Sequence, residues 1–245
     1  MKPLLALHPE VVSFHFGLRS QDKIAALHEA GIILLATATN LAKARKFEAA
    51  GIDIVVAQGV EAGGHRGVFD LLTEDEGLST FVLVQTLTLE LRIPVVAAGG
   101  IMDGCGIRAM LALGATAAQL GTAFILCPES SASDSYRKYL LSSRASLTRI
   151  TRYISGRPAR GMINDFIRYC EGRDAPDPAD YPVAYDAAKQ LNAVAESSGS
   201  NEYAAQWAGQ DAPFCRSLPA ADLMNALATE FRTSASGRLQ DHPPR

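Results

Sequence analysis

The stretch "AKARKFEAAGIDIVVAQ", Ala42 to Gln58, reads as one structural phrase: an alanine-rich amphipathic segment, Gly51, then a short β-branched run. Glycine accepts the positive φ that ends a helix, and an apolar run without alternation fits a strand buried on both faces, as in parallel sheets. The phrase recurs in "IAALHEAGIILLAT" around Gly31 and in "IRAMLALGATAAQLGTAF" around Gly114. Such alternation is the signature of parallel α/β architecture. It predicts strands near 11–16, 32–37, 54–58, 94–98 and 117–121, with helices over 21–30, 41–50, 80–91 and 104–113. Asn40 and Asp103 stand where helix N-caps belong.

Beyond Pro128 the strand signal fades. "SDSYRKYLLSS", "VAYDAAKQLNAVAES" and "ADLMNALATEF" read as helices, while glycine and proline mark "SGRPARG" and "GRDAPDPADYP" as loops. The tail 233–245 reads as disordered. No low-complexity linker divides the chain, so the reading is one domain. Residues 1–127 form its α/β part, 128–232 a helical part packed on it, and 233–245 a tail.

The 245 residues are 48% hydrophobic and 20% charged, with a formal net charge of −3, the profile of an ordinary globular protein. Nothing resembles the basic stripe that nucleic acid or an anionic membrane surface requires. No apolar run reaches the roughly 20 residues of a transmembrane helix, and "MKPLLALHPE" is too short and too soon interrupted for a signal peptide, which predicts a cytoplasmic protein. Cys105, Cys127, Cys170 and Cys215 are scattered and form no CxxC pair, so they read as free thiols, mostly in the core, with no disulfide framework or metal site.

In parallel α/β folds ligands sit at the C-terminal ends of the strands. Here those ends read "SFHFG", "AQGVEAGGH", "AAGGI" and "QLGTAF". Gly99–Gly100 and Gly121–Thr122 would let backbone N–H groups approach a phosphate, although Gly-Gly after a strand is equally a tight turn. Gln58 either contacts a ligand or ties up loop backbone. His65, on a loop with no bulky neighbours, is a candidate general base, because imidazole titrates near neutral pH; a surface histidine is the plainer alternative. Arg66 reads as solvated, Glu61 as a loop anchor, and His15 as either satisfied core polarity or a ligand contact. Tyr181, Tyr185 and Lys189 recur at four-residue spacing and stack on one helix face, as packing surface or as a pocket wall.

Taken together, "SFHFG", "AQGVEAGGHRG", "PVVAAGGIMDG", "GATAAQLGTAF", "SGRPARG", "YPVAYDAAKQ" and "WAGQ" resemble, in order, the nitronate monooxygenase family, formerly called 2-nitropropane dioxygenases. These are FMN enzymes on a TIM-type (β/α)8 barrel. The resemblance runs from about Val11 to Pro219 and implies particular roles. His65 matches the family's catalytic histidine. Gln58, Gly63, Gly100, Gln119, Leu120, Gly121 and Thr122 match positions that hold FMN, the last group around its phosphate. Tyr181, Tyr185 and Lys189 match the substrate-pocket wall of the branch that oxidises propionate 3-nitronate and similar alkyl nitronates. The family reaction passes one electron from the nitronate to flavin, and oxygen then yields a carbonyl compound and nitrite.

The sequence departs from the pattern in one respect: five strands are legible where a closed barrel has eight. Met1 falls just before what resembles the family's fourth strand, so the expectation is an incomplete barrel lacking the first three βα units. Three outcomes are open: an inactive remnant that binds a phosphate ligand or a partner, a homo-oligomer whose second copy completes the barrel, or an upstream segment that does so. The nearest flavin alternative is the FMN-dependent enoyl-acyl-carrier-protein reductase, whose histidine loop is similar. Gln58 and "YPVAYDAAK" favour the monooxygenase.

Overall fold

The computed structural model describes residues 2–70, 74–172 and 175–233. Its strands are β1 (Val11–Phe14), β2 (Ile33–Ala38), β3 (Ile54–Gln58), β4 (Gly64–His65), β5 (Val95–Ala98), β6 (Ala117–Gln119), β7 (Thr148–Thr151) and β8 (Ala159–Met162). Its α-helices are α1 (Lys2–Leu7), α2 (Gln21–Glu29), α3 (Leu41–Ala49), α4 (Thr80–Glu90), α5 (Gly104–Ala112), α6 (Asp134–Leu140), α7 (Asp165–Cys170), α8 (Val183–Ser197) and α9 (Ala220–Thr233). The five parallel strands lie in the order β1-β2-β3-β5-β6, so each βα unit adds the next neighbour, as in a barrel wall. The sheet is open among the described residues: β1 and β6 are its edges.

The expected phrase is realised at each repeat. Gly31, Gly51 and Gly114 have φ of +71°, +87° and +100° and turn the chain from helix to strand. The Asn40 side chain accepts from the Lys43 N–H at 3.0 Å, and Asp103 from Gly106 N–H at 2.7 Å, capping α3 and α5. Alternate strand residues, including Leu34, Ala36, Val55, Ala57, Val95 and Ala97, pack in the core against Leu27 of α2, Phe47 of α3 and Leu83 and Leu87 of α4. The opposite face, largely apolar but also carrying Ser13, Thr37, Gln58 and Gln119, is only partly covered, contrary to the expectation of strands buried on both faces. Val11 and Ile33 remain 47% and 46% exposed.

The C-terminal part is not purely helical. β7 and β8 join β4 in a three-stranded antiparallel sheet ordered β4-β8-β7, and the end of "SGRPARG" is itself strand. The sequence gives no strand signal there because "ARGM" has neither β-branched residues nor alternation, yet all four residues are buried. α9 packs closely on α5, where Gly104 leaves no room for a side chain against Phe231. Two of the four cysteines, Cys127 and Cys170, are buried, fewer than expected; Cys105 is exposed. Thr233 closes α9, and the remainder of the predicted tail lies outside the described residues, as do Arg173 and Asp174. No described helix is long and apolar enough to cross a membrane.

Candidate active site

The loop after β3 is held by its own polar side chains. The Gln58 amide donates to the His65 carbonyl at 2.9 Å, and its oxygen accepts from Gly67 N–H at 2.8 Å. His15 Nε2 lies 2.9 Å from the same carbonyl; a carbonyl can only accept, so His15 donates. Gln58 and His15 therefore both serve the loop backbone. Arg66 is fully buried, not solvated as its sequence context suggests. Its guanidinium donates to the Gly59 carbonyl at 2.6 Å and pairs with Asp75 at 2.7 Å. Burial pushes the Asp75 carboxyl up, but the hydrogen bond and charge of Arg66 outweigh it and hold the group below the usual carboxylate range. Glu61 is an anchor: its carboxylate accepts from Thr80 N–H and Thr80 Oγ1, each at 2.9 Å, at the start of α4.

So fixed, His65 pairs with Ala159 of β8, and its Nε2 lies 2.9 Å from Ser155 Oγ. Its ring sits in an aromatic cage, with centroids of Phe16, Tyr181, Tyr185 and Trp207 at 5.5, 5.7, 5.9 and 5.4 Å. Burial, followed by the charges of His15 and Arg157, lowers the His65 pKa to about 4, so the imidazole is neutral near pH 7. The Arg157 guanidinium lies over Phe16 at 4.4 Å, and Lys189 Nζ over Tyr185 at 4.3 Å.

Two cavities are lined by neighbours of this histidine, though not by His65 itself. One, of about 110 Å³, is lined by all eight strand-end residues singled out from the sequence: Gln58, Gly63, Gly99, Gly100, Gln119, Leu120, Gly121 and Thr122. Among the described residues no backbone hydrogen bond is made by the N–H groups of Gly100, Gly121 and Thr122. A Cβ built on Gly121 meets nothing within 4 Å, so the wall is bare there. Unpaired N–H groups on a side-chain-free wall suit a phosphate. The second cavity, about 470 Å³ and more open, is lined by Tyr181, Tyr185 and Lys189 with Pro182, Val183 and Asp186.

Sequence reasoning missed Asp211, which lines the first cavity, and Ser155, Phe16 and Trp207 around His65. Phe16, Ser155 and Trp207 lie in stretches already conspicuous, "SFHFG", "SGRPARG" and "WAGQ", but a stretch does not say which side chain turns inward. Asp211 has no local signal.

Residues 2–230 match the family model described as nitronate monooxygenase. The chain is 57% identical over 226 residues to a nitronate monooxygenase of Paraburkholderia phytofirmans, covering 92% of this chain and 62% of that protein. It is 51% identical to one of Pseudomonas aeruginosa, covering 94% and 65%. It thus spans a little over six tenths of these curated relatives' length. Among solved structures, nitroalkane oxidase from Streptomyces ansochromogenes superposes with a TM-score of 0.88 at 44% identity, covering 95% of this chain and 68% of that one. FabK from Thermotoga maritima gives 0.76 at 29%, covering 96% and 71%.

Proposed function

Since the chain belongs to the nitronate monooxygenase family, we propose that it serves the oxidation of alkyl nitronates with oxygen to a carbonyl compound and nitrite. The observation that carries the reading is that residues around His65 line both cavities. Gln58 and Gly63 of its loop line the first, and Tyr181 and Tyr185 of its aromatic cage line the second. A small organic substrate in the second cavity would meet the histidine, with the cofactor reaching it from the first.

The cofactor proposed is FMN. Gly100, Gly121 and Thr122 would hold its phosphate through backbone N–H groups, with Gly63, Gly99, Gln119 and Leu120 completing the wall. The bare wall at Gly121 and the unpaired N–H groups support this fit. The 110 Å³ cavity accommodates a phosphate-sized group, so the rest of the cofactor would extend along the open mouth toward His65. Gln58 supports the loop from beneath, because both ends of its amide are engaged. Bound FMN would supply the redox step, which no side chain of the site can perform.

His65 accepts or holds a proton. A neutral imidazole can take the α-proton of a nitroalkane, and an anionic nitronate beside it raises its basicity by favouring the imidazolium. An imidazole whose conjugate acid has a pKa near 4 is a weak base, which favours the preformed nitronate as the substrate taken up. Tyr181, Tyr185 and Lys189 would form the substrate wall, Lys189 supplying the charge an anion requires.

Reconstitution with FMN should give a yellow complex, and His65→Asn should keep that spectrum while lowering nitronate turnover by about 10²–10⁴-fold. Undiminished turnover in His65→Asn rejects the mechanism. Oxidation of a nicotinamide cofactor with an enoyl thioester would turn the reading toward the reductase. A stable protein without flavin affinity would leave a non-catalytic binding role.

A further inference from the structure

We propose that Asp211 is a specificity-determining residue of the glycine cradle, admitting a phosphate ester only together with a proton. This rests on the flavin reading. It predicts that FMN binding weakens as pH rises, whereas binding of the uncharged flavin does not.

The cradle has no cation. Its described lining is apolar or amide-bearing apart from the Thr122 hydroxyl and one carboxyl group, Asp211. The backbone just before it is held in place: the N–H of Gly209 donates to Thr122 Oγ1 at 3.0 Å, and the N–H of Gln210 donates to the Glu61 carbonyl at 3.0 Å. A Cβ on Gly209 would lie 2.6 Å from Asp211 Oδ1, so the glycine makes the room in which the carboxyl sits.

Among the described residues, two titratable groups interact with it. Glu61 is committed to Thr80 at the start of α4, and Cys215 donates its thiol to the Thr122 carbonyl at 3.2 Å. The thiol is pushed up to about 12 by burial, then by the charges of Asp211 and Cys127, and is neutral. Among the described residues no basic side chain lines the cradle; Arg216, which donates to the Met102 carbonyl at 3.0 Å, is paired with Glu230. Burial, reinforced by the charge of Glu61 and only partly offset by its own backbone N–H, raises its pKa.

A phosphate monoester takes its second charge near pH 6. Two negative charges beside a third in a half-buried cleft repel strongly. Protonated, Asp211 instead donates its O–H to a phosphate oxygen, a charge-assisted bond. Binding therefore takes up a proton, either on Asp211 or on the phosphate, and linkage limits the loss of affinity to about tenfold per pH unit.

The test titrates the unmodified chain and Asp211→Asn with FMN and with riboflavin, by flavin fluorescence, at about pH 5.5 and about pH 8. In the unmodified chain FMN affinity should fall by about tenfold or more between the two, with riboflavin affinity changing less than about threefold. Asp211→Asn should bind FMN about tenfold more tightly than the unmodified chain at the higher pH and nearly equally at the lower. Equal affinities of the two chains at both pH values overturn the proposal while leaving the flavin reading intact. Absence of FMN binding in every titration overturns both. The unmodified chain decides even if the variant does not fold: FMN affinity that is flat or rises with pH relative to riboflavin overturns the proposal.

Discussion

The His65 loop and the glycine cradle lie side by side at the same sheet edge, yet they are built on opposite principles. The loop is a packed network in which Gln58, Arg66, Glu61 and His15 spend their polar atoms on backbone and on one another. The cradle is defined by what is missing: side chains at Gly99, Gly100 and Gly121, and hydrogen-bond partners for several N–H groups. The polar side chains at these strand ends are thus committed to the protein itself, while the bare backbone is not. Substitutions can break or sharpen that contrast.

The largest effect belongs to the loop. Arg66→Met removes the cation from a fully buried position, taking from Asp75 its ion-pair partner and from the Gly59 carbonyl one of its two donors, the other being Ala62 N–H. Breaking a buried pair by removing one partner costs about 3–5 kcal/mol, a large share of a typical protein's stability, and chemical denaturation should show a loss of that size. A loss under about 1 kcal/mol would mean that the loop is not held as a network.

Within the cradle, Gly63 and Gly121 share one cavity but differ in what stands behind them. A Cβ at Gly63 would lie 2.6 Å from backbone atoms of Ala208 and Gly209, neither of which can rotate away. Gly63→Ala should cost about 2–3 kcal/mol in the same measurement, the upper range for forced overpacking. Gly63 is then a packing glycine where "WAGQ" crosses the loop, whatever the cavity binds.

The pH dependence of stability follows from His65. Its folded pKa, about 4, is below the 6.5 of an unstrained imidazole, so the native state favours the neutral form. The contribution is fully present above the unfolded value and is lost as pH falls from 6.5 through about 4, where the unfolded chain binds the proton first. Because the ring is partly exposed, solvent screening reduces the amount to about 1–2 kcal/mol. His15, also lowered by burial, adds with the same sign. Denaturation midpoints at several pH values should show that decline, and His65→Asn should flatten it without abolishing it.

How much of this was legible in the sequence follows from range. The βα phrase is local: Gly51 needs positive φ, Asn40 reaches Lys43, and the apolar run needs only its neighbours, so strand order and helix starts are readable. The strand ends are legible for the same reason, and they converge because a parallel sheet brings successive C-terminal edges together. What depends on distant packing was not. The burial of Arg66 requires Asp75 and two carbonyls in place, and Ser155 reaches His65 across 90 residues through a strand, β8, with no β-propensity. Asp211 enters the cradle only because Thr122 and Glu61 hold the segment beside it.

The smallest effect on stability carries the sharpest test of the contrast. Gly121 has φ of −116°, which any residue can adopt, and its added Cβ meets nothing within 4 Å. Gly121→Ala should therefore change stability by less than about 0.5 kcal/mol, as at an unconstrained surface position. Its methyl group nevertheless takes space from the 110 Å³ cavity. If the bare wall exists for a ligand's phosphate, overpacking against that ligand should lower FMN affinity by about tenfold and riboflavin affinity much less. Two alanines in one wall would then separate cleanly, Gly63→Ala weakening the fold and Gly121→Ala only the complex. Equal FMN affinity in Gly121→Ala and the unmodified chain would instead mean that the phosphate lies elsewhere along the strand ends.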